Sequence, residues 1–217
     1  MPTTEFVVAP LKPGIEIGEP DNEGTKAIKE CGDTLNKADG LQRVRIGTQV
    51  ENPSNFQMAV IWDHIDKHKE FMAKDTYKPF LERFLSVAAG HPEIIHADMV
   101  PEGAVNKAFE APVTEIATFY FGGEPPADYI DQVLKFGEAV NKEQPEGYHG
   151  SAVGLTHEDI EKDGHKGKGA VLTIGWSSVD AHMKFRETET FKSLAPVLRN
   201  GVKTANVVHV AFLTVEQ

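Results

Sequence analysis

An α+β fold made of two tandem copies of one β-α-β-β-α-β unit is predicted by three observations. The stretch VIWDHIDKHKEFMAKDTYKPF (60–80) returns as TIGWSSVDAHMKFRETETFKSL (173–194), so that Trp62, His68, Phe71 and Tyr77 recur 114 positions on as Trp176, His182, Phe185 and Phe191. HPEIIHADM (91–99) returns as TANVVHVAF (204–212), pairing His96 with His209 at an offset of 113. Upstream, TEFVV (4–8) matches TEIAT (114–118), and GLQRVRIGTQVE (40–51) matches GYHGSAVGLTHE (147–158). The matches keep their order, and their slightly different offsets are those of loop insertions in a duplicated unit of about 100 residues. The expected division is a first repeat over 1–99, a linker over 100–113 and a second repeat over 114–217.

Each element follows from local pattern. EFVVAPL opens the first unit as a β-rich run. TKAIKECGDTLNKA then places Ala27, Ile28, Cys31 and Leu35 at helical spacing, and ADYIDQVLKFGEAVNKE does the same with Ile130, Val133, Leu134 and Val140. Two strands follow in each unit, LQRVRIGTQV with FQMAVIW and YHGSAVGL with GAVLTIGW. Turn chemistry at 52–55 and 162–169 separates them. The segment after each Trp reads as a helix, with Asp63 and Ser177 as N-cap candidates. EIIHADM and ANVVHVAF close the units as strands. This order is the ferredoxin-like arrangement. DMVPEGAVNKAFEAP has two prolines and no periodicity, hence the linker. A sheet with helices on one face leaves the other apolar, so the two antiparallel sheets are expected to pack into a single-chain pseudo-dimeric α/β barrel.

Composition narrows the function classes. With 217 residues, 40% hydrophobic and 25% charged, the chain has the make-up of a globular protein with a real core. A net charge of −11 speaks against nucleic acid as a partner, because phosphate recognition needs a basic surface. The one cysteine, Cys31, excludes an intrachain disulfide framework. The N-terminal apolar run is too short for a signal peptide, and no stretch approaches a membrane span, so a cytoplasmic location is expected.

The element order, with a Trp ending the third strand and His and aromatics on the following helix, resembles the antibiotic-biosynthesis monooxygenase-like branch of the dimeric α/β-barrel superfamily. Trp62, His68, Phe71, Tyr77 and Phe80 carry the resemblance, as do Trp176, His182, Phe185, Phe191 and Leu194 in the second copy. It implies the fold and a small-molecule substrate, with reactions ranging from cofactor-free oxygenation to polyketide cyclisation and lactone isomerisation. It also implies a possible homodimer. Haem-degrading relatives place a His one turn beyond the last aromatic of that helix. Leu81 and Ala195 stand there instead, and no cofactor is expected.

The site candidates follow from residue chemistry. His96 and His209 sit mid-strand among β-branched residues, either as acid–base groups or as hydrogen-bonded core histidines. His68 and His182 share a helix face with Ile65 and Val179, which directs them toward the sheet and their Trp. Trp62 and Trp176 are core aromatics or stacking platforms for a flat substrate. Tyr77 differs from Phe191 by a hydroxyl, while Tyr148 and His149 stand where the first copy has Leu41 and Gln42. Arg45, with Arg43 on the same strand face, either binds an anion or lies on a solvated edge. His64 and His68 are spaced as a metal pair, but the second copy has Ser178 at the first position and no third ligand is evident, so no metal is expected. His165 lies in a Gly/Lys turn.

The leading expectation is a cofactor-independent enzyme using pocket histidines on a small cyclic metabolite, by lactone hydrolysis or isomerisation or by cyclisation. One alternative is a cofactor-free monooxygenase acting on an aromatic substrate. The other is a non-catalytic, small-molecule-binding or stress-related protein.

Overall fold

A computed structural model describes residues 1–215; the last two positions of the expected second repeat lie outside the described residues. The described residues form two compact units, one of residues 1–96 and 212–215, the other of residues 97–211.

In the first unit, β1 (Thr3–Pro10) leads to α1 (Glu23–Leu35), β2 (Leu41–Thr48) and β3 (Asn55–Trp62). Two short helices, α2 (Ile65–Met72) and α3 (Tyr77–Leu85), precede β4 (Glu93–Ala97). The strands are ordered β2-β3-β1-β4, as a ferredoxin-like unit requires, with β3 antiparallel to both β1 and β2. Alternation along the strands sets the core. Val7, Ala9, Phe56, Met58, Val60 and Trp62 meet Ile28, Cys31, Leu35 and Phe71 of the helices. Asn22 caps α1 by accepting a 2.8 Å bond from the Gly24 amide.

The second unit repeats the scheme. It begins with α4 (Ala104–Glu110), then β5 (Val113–Tyr120), α5 (Tyr129–Glu143), β6 (Tyr148–Leu155), the hairpin β7 (Ile160–Lys162) and β8 (His165–Gly167), and β9 (Gly169–Trp176). Helices α6 (Val179–Arg186) and α7 (Glu189–Leu198) and strand β10 (Thr204–Val210) complete it. Its sheet is antiparallel in the matching order β10-β5-β9-β6. After β10 the chain adds β11 (Leu213–Thr214) to the edge of the first sheet, beside β2.

The structure differs from the sequence reading in four places. The expected linker contains α4, which buries Val105, Ala108 and Phe109 on the second sheet. That packing depends on Gly175, where a Cβ would stand 2.9 Å from Ala108 Cα, so only glycine lets the helix lie flush. The helix after each Trp is two helices, because a four-residue turn between α2 and α3 and a two-residue turn between α6 and α7 interrupt it. The N-caps are His64 and Ser178, one position later than Asp63 and Ser177. Those two side chains instead bond Gln42 and His149. Finally, the turn expected at 162–169 includes part of a small hairpin. Among the described residues no helix is long and apolar enough to cross a membrane.

Candidate active site

Strand parity and helix spacing bring four side chains together on the helix-covered face of each sheet. In the second unit Glu115 of β5 faces His209 of β10 as its cross-strand partner. Trp176 ends β9 on the same face, and His182, one turn into α6, lies over all three. The first unit builds the same group from Glu5, His96, Trp62 and His68. All eight side chains are buried.

Each unit holds two short hydrogen bonds, indole to carboxylate and imidazole to imidazole, linked by a longer approach of the helix His to the Glu. The Trp62 indole donates to Glu5 Oε2 at 2.8 Å, and the Trp176 indole to Glu115 Oε2 at 2.9 Å. His68 Nδ1 lies 2.7 Å from His96 Nε2, and His182 Nδ1 lies 2.8 Å from His209 Nε2. Each pair shares one proton, since one nitrogen must donate and the other accept. His68 Nδ1 approaches Glu5 Oε2 at 3.6 Å, and His182 Nε2 approaches Glu115 Oε2 at 3.4 Å. In the second unit, then, each ring nitrogen of His182 faces a different partner. The His rings also stack on the Trp rings, 5.3 Å apart and within 15° of parallel. A buried carboxylate is costly unless it accepts such bonds, and here an indole and an imidazole meet one oxygen.

Each group also offers two imidazoles and a carboxylate with their ligand atoms within 4.8 Å of one another. That donor set suits a zinc or non-haem iron ion. Two nitrogens bound to one ion at about 2.1 Å would stand about 3 Å apart or more. The 2.7 and 2.8 Å separations are those of a shared proton. The metal pair weighed from sequence does not form, because His64 is exposed and caps α2 while His68 is buried.

The other candidates are dispersed. Arg45 is buried, but its β-pairing with Ala59 places it on the opposite face from Val60, Trp62 and the His pair, so it is no part of that site. Tyr77 packs edge-on against Phe71 at 5.5 Å, and burial and the Glu5 charge both raise its phenol above the usual range. Tyr148 meets the Trp176 edge at 5.8 Å and bonds Ser151, while His149 is exposed and bonds Ser177 at 2.9 Å. Both border a separate cavity of about 230 Å³ near Ala104 and Asn141. His165 is half-buried in the β7–β8 hairpin. Glu5 and Glu115 were missed as site residues. Both copies carry this acid at the matched position of TEFVV and TEIAT, but a lone acid there reads as solvent-facing until the strand register is known.

The second group opens on a cavity of about 200 Å³. Glu115, Trp176 and His182 form its polar end, and Phe119, Phe136, Phe185 and Phe191 its aromatic walls. His209 stands one strand step beyond Val207 of the wall. The matched positions of the first repeat carry more bulk where it matters: Leu81 for Ala195 and Phe84 for Leu198, with Phe84 buried against Phe56 at 5.7 Å. In the other direction, Phe119 replaces Ala9 and supplies an aromatic wall. The groove of about 510 Å³ in the first unit is lined by Cys31, Phe80 and Arg83 and includes none of Glu5, His68 and His96.

Comparison with solved structures finds the same architecture along the whole chain. An anthrone oxidase-like protein superposes with a TM-score of 0.68 at 13% identity, covering 99% of this chain and 92% of its own. A candidate monooxygenase from Fusobacterium nucleatum gives 0.61 at 12% identity, with 100% and 98% covered. Another from Lactobacillus acidophilus gives 0.59 at 13%, with 100% and 96% covered. The chain shares their fold. No protein-family model and no curated protein sequence matches it.

Proposed function

We propose that the second repeat is the working half of a cofactor-independent oxygenase for a small, flat, weakly acidic aromatic metabolite. The observation that carries this reading is the Glu115–His182–His209 chain ending at an aromatic-walled cavity. At about 200 Å³ that cavity is smaller than the roughly 300–1,000 Å³ of drug-sized sites, which suits one or two fused rings.

The Glu115–His182 pair takes a proton from an activated carbon of the bound substrate, and His209 shares the resulting charge across the 2.8 Å bond. Trp176 holds Glu115 in place. The substrate carbanion gives one electron to molecular oxygen, and the two radicals combine at carbon to a peroxide. The peroxide takes back the proton, and loss of water leaves a carbonyl; a CH2 group and O2 thus become C=O and H2O. The fold's occurrence in proteins described as an anthrone oxidase-like protein and as candidate monooxygenases makes oxygen the first co-reactant to test.

Two other readings use the same site. Proton transfer without oxygen would serve lactone hydrolysis, isomerisation or cyclisation, since the first step is the same. Binding without catalysis is favoured by one observation, that both ring nitrogens of His182 face protein groups. The experiment is oxygen uptake over a panel of phenols and benzylic ketones, beside acid release from small lactones at constant pH. Oxygen uptake by the wild type, lost in His182→Ala, supports the oxygenase. Acid release alone would move the function to lactones, and inactivity throughout would favour binding.

A further inference from the structure

Internal duplication supplies a control, because a residue that serves only the fold has reason to be the same in both copies. Two positions around the cavity break that rule in the same direction. Arg186, at the end of α6, corresponds to Met72, and Arg199, which caps α7, corresponds to Leu85. Both arginines line the second-repeat cavity. Both are exposed, and neither guanidinium has a hydrogen-bond or ion-pair partner among the described residues. Acidic residues outnumber basic ones 33 to 22 in this chain, so two uncommitted arginines at one opening are a local reversal of charge. Cations at helix C-termini also favour the helix dipole, which is the structural account the pair must be tested against.

We infer that Arg186 and Arg199 form an anion subsite at the rim of this cavity, so that its ligand is an aromatic acid whose ring lies among Phe136, Phe185 and Trp176. A guanidinium offers several N–H donors in one plane, matched to a carboxylate or an enolate oxygen. The inference rests on the cavity being the ligand site of the proposed function, and it adds the charge of the ligand.

Binding rather than turnover tests it, so the two readings fail separately. Titration calorimetry with 2-naphthoate and with its uncharged methyl ester compares wild type, Arg186→Met/Arg199→Leu (the first-repeat residues) and Ala195→Leu/Leu198→Phe. The wild type is expected to bind the acid at least about tenfold tighter than the ester, with the preference falling as salt rises. The arginine variant is expected to lose that preference while keeping the ester's affinity, and the filled cavity to lose both ligands. Equal binding of acid and ester by the wild type would overturn the subsite, as would a preference that survives in the arginine variant. Failure of the wild type to bind either probe would overturn it too.

Discussion

At the scale of single residues, the most consequential choice is a glutamate on an apolar strand. Glu5 and Glu115 tolerate burial because an indole N–H and an imidazole meet them. Replacing Trp62 by Phe keeps most of the buried ring but removes the donor, and should cost about 1–3 kcal/mol in urea unfolding. His182→Ala should lower turnover by about 100-fold or more in a protein that still folds, whereas His68→Ala should affect stability and leave turnover near wild type. Cys31 is inert by the same logic of burial, which pushes its thiol up to about 12. A thiol reagent at pH 8 should label it only after unfolding. The unfolded thiol ionises near 9 while the folded one stays protonated, so this group lowers stability as pH rises from about 9 toward 12. The four histidines were legible in the sequence because duplication exposed their spacing. The glutamates were not, because a lone acid in TEFVV reads as a solvent-facing residue until the register shows which face it occupies.

At the scale of elements, alternation and helical spacing located strands and the first helix of each repeat. Their failures have physical causes. The repeated segment after each Trp keeps helical composition through a turn; in the second repeat Thr188 starts the new helix by accepting a 3.1 Å bond from the Phe191 amide, while Thr76 makes no such cap for α3. Helix α4 is too short for its periodicity to show, and its place is fixed by a glycine on another element. Gly175→Val would drive a side chain into Ala108 and Ala111 and should destabilise the fold by about 1–3 kcal/mol, read as a lowered urea midpoint at unchanged slope. Arg45 shows the converse limit. Its side of β2 was legible, but whether that side meets the site was not, since the face of a strand is assigned only when its partners are known.

At the scale of the whole molecule, the two copies of one unit differ around a shared group of side chains. Both repeats keep the Trp–Glu–His–His chain, which fixes the helix after the third strand to the sheet. The second repeat has smaller residues at Ala195 and Leu198 beside that chain, and a cavity lies there. Restoring the first-repeat residues, Ala195→Leu with Leu198→Phe, should abolish turnover while leaving unfolding stability equal or higher, because the added methylenes fill space. The most direct test of proton transfer in the second repeat is deuterium loss from the C1 position of 1,1-dideutero-2-tetralone under argon, followed by NMR. Washout is expected to be faster than buffer with wild type and His68→Ala, and at the buffer rate with His182→Ala. Washout that persists in folded His182→Ala, or that is never faster than buffer, would contradict proton transfer there.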